Sequence, residues 1–286
     1  MKFAYYPGCS LEGSSLEFNE SVLAVAKTLG IELVELPDWN CCGASSAHHV
    51  DKFLSIALPA RNMAIAGELG LDMAVACAAC FSREKHARHE LRADPELKSR
   101  VEEIIGKKLN LDHQVRHMLD VVVRELGIER VREKVARPLK GLKVACYYGC
   151  YLVRPPAVME FDDPENPRIM DDLMRALGAD VRDWSSKIDC CGGSLVLYRI
   201  DIAEKLVGGI VKDARESGAD AIVCACPLCQ SNLDIRQRPG EGEERMPVFF
   251  FTELMGLAMG LPDVRSWLKK HITSPLKYLE SVGLVS

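Results

Sequence analysis

The chain carries the same cysteine cassette twice, and that repeat governs what it can fold into. Cys9, the adjacent pair Cys41 and Cys42, and the Cys77-Ala-Ala-Cys80 motif are separated by 31 and 34 residues. Cys150, the pair Cys190 and Cys191, and Cys226-Pro-Leu-Cys229 are separated by 39 and 34. The flanks repeat as well: KFAYYPGC (residues 2–9) is answered by KVACYYGC (143–150), and Asp38-Trp39-Asn40-Cys41-Cys42-Gly43 by Asp189-Cys190-Cys191-Gly192. A duplication of this length overrides local propensity, because each copy must form one kind of unit and the two must pack together. With 286 residues the chain suits two units of roughly 140 residues, each able to bury a core. The expected division is residues 1–138, a first domain with a helical insert, and 139–286, with Arg137 to Gly141 as linker.

Each copy also has the same order of elements. Lys2 to Tyr6 and Leu142 to Tyr148 are short apolar runs that read as buried strands ending at a Gly-Cys turn. Residues 16–29 place apolar side chains at helical spacing and stop at Gly30, after which Ile31 to Leu36 resumes as strand. A second helix is expected around Val50 to Leu69 and a strand at Asp72 to Ala76; Ile202 to Glu216 and Ala219 to Val223 take those parts in the second copy. Alternation of this kind gives parallel βαβ units. The fold class is therefore α/β: two tandem Rossmann-like parallel-sheet halves related by internal duplication. Phe81 to Leu139 reads as a charged, helix-prone insert and Gln230 to Met246 as a surface loop. The cysteines fall where strands end, the rim on which open α/β sheets build their sites.

Composition narrows the function. A net charge of −5 offers no electrostatic grip on a phosphate backbone, so nucleic acid is not an expected partner. No apolar run is long enough to span a bilayer, the stretch from Val248 to Leu261 being broken by Thr252 and Glu253. The N-terminus lacks the hydrophobic segment of a secretory signal, which places the chain in the cytoplasm. Twelve cysteines are too few for a small disulfide scaffold, and in a reducing compartment they point to metal.

Five thiols per cassette exceed the four that a closed zinc tetrahedron uses. Adjacent cysteines on extended backbone face opposite ways, so they can reach different atoms of a polynuclear cluster. Gly43, Gly192 and Gly193 permit a tight turn beside them. CxxC at a helix start adds two thiolates stabilised by free N–H groups. Structural zinc, redox disulfides and inert thiols are the competing readings.

The doubled pattern resembles the cysteine-rich CCG domain family, in particular its heterodisulfide reductase members, whose catalytic polypeptide it is most similar to. The resemblance covers nearly the whole chain and implies two non-cubane [4Fe-4S] clusters, one on Cys9, Cys41, Cys42, Cys77 and Cys80, the other on Cys150, Cys190, Cys191, Cys226 and Cys229. It implies that the clusters face each other across a substrate disulfide, that of coenzyme M and coenzyme B or an analogue, each sulfur being captured at a different cluster. The implied partners are one ferredoxin-like subunit plus one flavin-containing subunit of a heterodisulfide reductase complex, since the chain has no ferredoxin-type CxxCxxCxxxC run of its own. Other members of the family pass electrons from lactate, glycolate or succinate dehydrogenases to a quinone, which is the alternative.

Outside the cassettes, Arg154 follows Cys150 by one helical turn and is the first candidate for a further site residue. His48 and His49 follow the first CC pair and are candidates for proton donation or substrate contact. Arg83, Lys85, His86 and Arg88 form either a solvated helix face or an anion-attracting rim. Trp39 and Trp184 are expected to wall the sites, and Cys146 and Cys224, without counterparts in the first copy, to be inert buried thiols.

Overall fold

A computed structural model describes residues 1–44, 47–240, 242 and 244–285, with residue 48 described in its backbone alone. The first half runs β1 (Lys2–Tyr6), α1 (Leu16–Thr28), β2 (Glu32–Glu35), α2 (Leu54–Glu68), β3 (Met73–Val75), α3 (Ala78–Ala93), α4 (Pro95–Ile105) and β4 (Val115–His117). The second runs β5 (Lys143–Tyr147), α5 (Ile169–Ala176), β6 (Asp180–Arg182), α6 (Ile200–Glu216), β7 (Ala221–Cys224), α7 (Pro227–Ile235), β8 (Val248–Phe250) and α8 (Phe251–Ala258). Each half forms a four-stranded sheet, in the orders β2-β1-β3-β4 and β6-β5-β7-β8. All pairings are parallel: Ala4 stands level with Val34 and Met73, Ala145 with Arg182 and Ile222. The duplicated α/β architecture is thus the observed one.

Two elements differ from expectation. The insert does hold α3 and α4, but it returns to the sheet as β4, whose Val115 pairs with Met73. The segment from Gln230 is not all loop, since α7 continues to Ile235 and β8 follows, pairing Val248 with Ile222. The cause is the same in both halves. The outer edge of β3 and β7 would otherwise leave a row of buried backbone groups unpaired.

The halves interlock through the ends of these last strands. Phe250 of β8 stacks on Phe18 of α1 with centroids 4.1 Å apart and planes 4° apart, and Ser21 meets Thr252 at 2.7 Å. His117 of β4 packs edge-on to Phe161 of the second half, and its Nε2 lies 3.1 Å from the carbonyl of Ala225. The Leu119 N–H donates to His117 Nδ1, so Nε2 carries the proton and donates across the junction. Burial lowers the pKa of this ring to about 4, keeping it neutral.

A buried ion pair closes the other side. Glu253 accepts the Phe250 N–H at 2.8 Å and meets His271 Nε2 at 2.7 Å, both side chains out of solvent. Burial pulls the His271 pKa down, but Glu253, with help from Asp234 and Glu17, carries it from 6.5 to about 9. A folded pKa above the unfolded one means stabilisation that is complete below about pH 6.5 and lost as pH rises through about 9. His271→Phe is therefore expected to flatten stability across that window, by on the order of 3 kcal/mol at its acid end, measured by denaturant midpoints at several pH values. An unchanged slope would exclude the pair as its source.

Candidate metal centre

Strand ends deliver every cysteine of the two sets. β1 and β5 run directly into Gly8-Cys9 and Gly149-Cys150, while β3 and β7 lead into Cys77 and Cys226, the residues that precede α3 and α7. Cys80 and Cys229 lie in the first helical turns. The CC pairs follow β2 and β6. The two members of each pair differ in exposure: Cys41 and Cys190 face solvent, Cys42 and Cys191 are buried.

Within each set the sulfurs gather. Cys9 and Cys41 are 3.8 Å apart, Cys42 and Cys80 3.3 Å, and Cys191 and Cys229 3.7 Å. Cys150 lies within hydrogen-bonding reach of Cys190, and Cys226 of Cys229. All twelve cysteines are free thiols. The N–H of Gly43 donates to the Cys41 sulfur at 3.4 Å, and that of Gly192 to the Cys190 sulfur at 3.3 Å. Hydrogen bonds from Cys42, then Cys9, and the Gly43 N–H hold Cys41 down at about 2, while sharing its proton with Cys41 pushes Cys42 up to about 12. Cys190 is lowered to about 6, first by Cys150. Thiols this close cannot all ionise unless positive charge enters among them.

The two sets also touch. Cys77 and Cys226 lie within hydrogen-bonding reach of each other, and the N–H of Ala79, in the first turn of α3, faces the Cys226 sulfur. Cys226 is lowered well below the ordinary thiol value, chiefly by Cys229 and then by Cys77. One cassette's helix N-terminus therefore helps to hold a sulfur of the other.

The surroundings fit a bulky cluster. Gly8 and Gly149 both have left-handed backbone, φ +75° and +65°, and a Cβ on either would meet Cys80 Sγ at 2.9 Å or Cys229 Sγ at 3.2 Å. Tyr6 Oη donates to the carbonyl of Asn40, the residue before the first CC pair, and Tyr147 Oη to that of Asp189, before the second. These tyrosines are repeated in the sequence, Tyr6 against Tyr147, and that identity was the signal for their role in pinning the CC turns. Glu84, one turn after Cys80, is fully buried with Oε2 unpartnered.

The other candidates scatter. Arg154 is paired with Glu165 at 2.8 Å on the surface. His48 has its side chain outside the described residues; His49 is exposed on the turn Ala47–Val50. Arg83 lies over the Tyr151 ring, 5.9 Å from its centroid, so it reaches the residue next to Cys150. Lys85 pairs with Glu160, and burial lowers the pKa of His86. Arg88 is neither solvated nor free, because it is buried and donates to the carbonyls of His113 and Leu111. Trp39 packs edge-on to Tyr6, and Trp184 lies against Tyr147 while donating to the Cys146 carbonyl at 3.0 Å. Cys146 and Cys224 are wholly buried, and burial raises both thiols.

Comparison with known proteins agrees with this layout. The model of the "Cysteine-rich domain" CCG matches residues 3–83 and 144–234, together more than half of the chain. The 8-methylmenaquinol:fumarate reductase membrane anchor subunit of Wolinella succinogenes is 34% identical over 96% of this chain and 98% of its own length. A heterodisulfide reductase B-subunit-like protein of Archaeoglobus profundus is 31% identical over 91% of each. A crystal structure of a hypothetical protein from Helicobacter pylori superposes with a TM-score of 0.72 at 13% identity over 96% of this chain, which spans about half (52%) of that one. That likeness concerns the fold.

Proposed function

The chain belongs to the family of CCG cysteine-rich domain proteins, and from that premise we propose that it is the iron–sulfur subunit of a multi-subunit oxidoreductase that cleaves a small-molecule disulfide. Cys9, Cys41, Cys42, Cys77 and Cys80 would hold one non-cubane [4Fe-4S] cluster, and Cys150, Cys190, Cys191, Cys226 and Cys229 the other. The observation that carries this reading is the meeting of two complete sets at Cys77 and Cys226.

The clusters, when bound, supply single electrons and iron sites for sulfur. The chain's own residues do the rest. Cys42 and Cys9, with the Gly43 N–H, favour the anionic form of Cys41, and Cys150, with the Gly192 N–H, that of Cys190, while the first turns of α3 and α7 hold the CxxC sulfurs. Cys42, Cys77, Cys80, Cys191, Cys226 and Cys229 are buried, so solvent meets the first site at Cys9 and Cys41 and the second at Cys190 and the partly exposed Cys150. A disulfide entering there takes two electrons and two protons and leaves as two thiols. Two adjacent electron sites suit that stoichiometry, because each can stabilise one departing sulfur. Electrons would come from a ferredoxin-like subunit with a flavin-containing one behind it, in the cytoplasm. Among the described residues no helix is long and apolar enough to cross a membrane.

A second reading is a relay between a flavoprotein and a quinone, without a disulfide of its own. It is favoured by the fumarate reductase subunit of Wolinella succinogenes, matched over almost its full length. Leu197, Tyr198 and Ile200, exposed just past the Cys190-Cys191 turn, would give such a relay an apolar docking face. The readings part in one experiment. Anaerobically purified chain carrying about eight iron and eight sulfide is supplied with a reduced viologen dye and a small disulfide; appearance of two thiols per disulfide is expected. Intact clusters without turnover would leave the relay, and zinc without sulfide would overturn both.

A further inference from the structure

The charged helix that follows the first CxxC motif crowds cations on one side. Lys85, Arg88, His89 and Arg92 share a face of α3 at helical spacing. They form one wall of a cavity of about 360 Å³ whose opposite wall, including Val158 and Glu160, belongs to the second half. Arg88 is only 8% exposed. Its Nε donates to the His113 carbonyl at 3.1 Å and its Nη2 to that of Leu111 at 2.8 Å, which fixes the guanidinium and leaves Nη1 without a partner among the described residues. Arg92, one turn further along, forms no ion pair among the described residues, and its charge adds to burial in lowering the Arg88 pKa. The acid of the cavity is Glu160, which meets Lys85 at 3.3 Å with its side chain 72% exposed. Such an ion pair is weak, because water and salt screen it. Lys85, Arg88 and Arg92 against Glu160 leave a surplus of two positive charges.

The shared fold does not demand this surplus. Moved by the 149-residue offset, the positions of Lys85, Arg88 and Arg92 hold Asp234, Gln237 and Glu241. Nor does the helix dipole, which favours cations in the last turn and so accounts for Arg92, but not for Lys85 and the buried Arg88 further back. Fixed cations concentrated in a cleft draw an anion into it. A guanidinium already held by two carbonyls loses little freedom when it presents its remaining N–H groups. A phosphate monoester brings three terminal oxygens to share among Arg88, Arg92 and Lys85, where a carboxylate brings two. We propose that this cavity binds the phosphate group of a small ligand, gripped by Arg88 and Arg92 and completed by Lys85 once Glu160 gives way. The ligand would tie α3, which carries Cys80, to the second half. What the cysteines hold does not enter the proposal.

The test is calorimetric titration of the whole, anaerobically purified chain with inorganic phosphate, against chloride at equal ionic strength. A saturable site for phosphate alone is expected. Arg92→Gln changes an exposed position and should weaken binding about tenfold with the fold intact. Glu160→Gln removes the competing carboxylate and should tighten binding, an effect that a purely structural ion pair would not give. Flotation with phosphatidylcholine vesicles containing phosphatidic acid separates the sources of phosphate: vesicle retention that depends on Arg92 marks a lipid headgroup, and phosphate binding without retention marks a soluble ester. Saturable binding in neither assay, an equal response to chloride, an Arg92→Gln affinity that does not fall, or a Glu160→Gln affinity that does not rise would overturn the site.

Discussion

Gly8→Ala is expected to empty the first cysteine set while leaving the second loaded. The added Cβ would stand 2.9 Å from Cys80 Sγ, closer than a carbon and a sulfur can sit, on backbone at φ +75°. A free thiol could rotate away, so the chain still folds, at the modest strain of a left-handed alanine, about 1–2 kcal/mol. A sulfur bound to metal has no such freedom. Iron and sulfide should fall by about half, since close-packed sites do not absorb an extra methyl. Gly30→Ala is the control: it has φ +72° but nothing within 4 Å of the new carbon, so it should lose stability and no iron. Gly149→Ala, at 3.2 Å from Cys229 Sγ, should impair the second site less severely. Metal and sulfide analysis of the three variants decides, and a fully loaded Gly8→Ala would remove Cys80 from the ligand set.

The glycines and the cysteines around them could be read from sequence because duplication writes each one twice. Gly8 and Gly149 occupy the same place in KFAYYPGC and KVACYYGC, and two copies of one covalent pattern leave little else for it to be. What duplication cannot write is how the copies meet. The contact of Cys77 with Cys226 depends on α1 packing against the end of β8 and the start of α8 through Phe18, Phe250 and Phe251, residues with no shared motif. β4 and β8 escaped for another reason. At three residues each, Val-Arg-His and Val-Phe-Phe are too short to show a strand period, and only the open edges of β3 and β7 require them. Glu84 was hidden by its neighbours: within SREKHARHELR it is one charge among many, and its burial follows from α2 presenting Asn62, not from any local signal.

The same dependence on unlike neighbours makes Lys187 the most consequential surface-invisible charge in the second half. Its Nζ sits 2.7 Å from Asp171 Oδ1 and 3.2 Å from the Pro167 carbonyl, with both side chains of the pair almost wholly buried. Tyr148 Oη donates to the other oxygen of Asp171 at 2.6 Å, and the Lys187 carbonyl accepts the N–H groups of Tyr148 and Gly149. The network therefore clamps the turn that carries Cys150. Lys187→Met should cost about 3–5 kcal/mol, because it leaves the buried Asp171 carboxylate with only Arg175, 3.9 Å away and half exposed, in place of its buried cation. For a unit of this size that is roughly a 10 °C fall in Tm. Adding Asp171→Leu should recover most of the loss, since replacing both charges by apolar groups removes the desolvation cost; only the Tyr148 hydroxyl then lacks an acceptor, at about 1 kcal/mol. A single variant that loses less than ~1 kcal/mol would mean that Tyr148 and the backbone hold Asp171 unaided. If instead the double variant is as unstable as the single, the pair acts by positioning the Cys150 turn. The electron paramagnetic resonance signal of the second site should then broaden in both variants, while that of the first, anchored by Tyr6 and Asn62 on the far side of the junction, stays as it was.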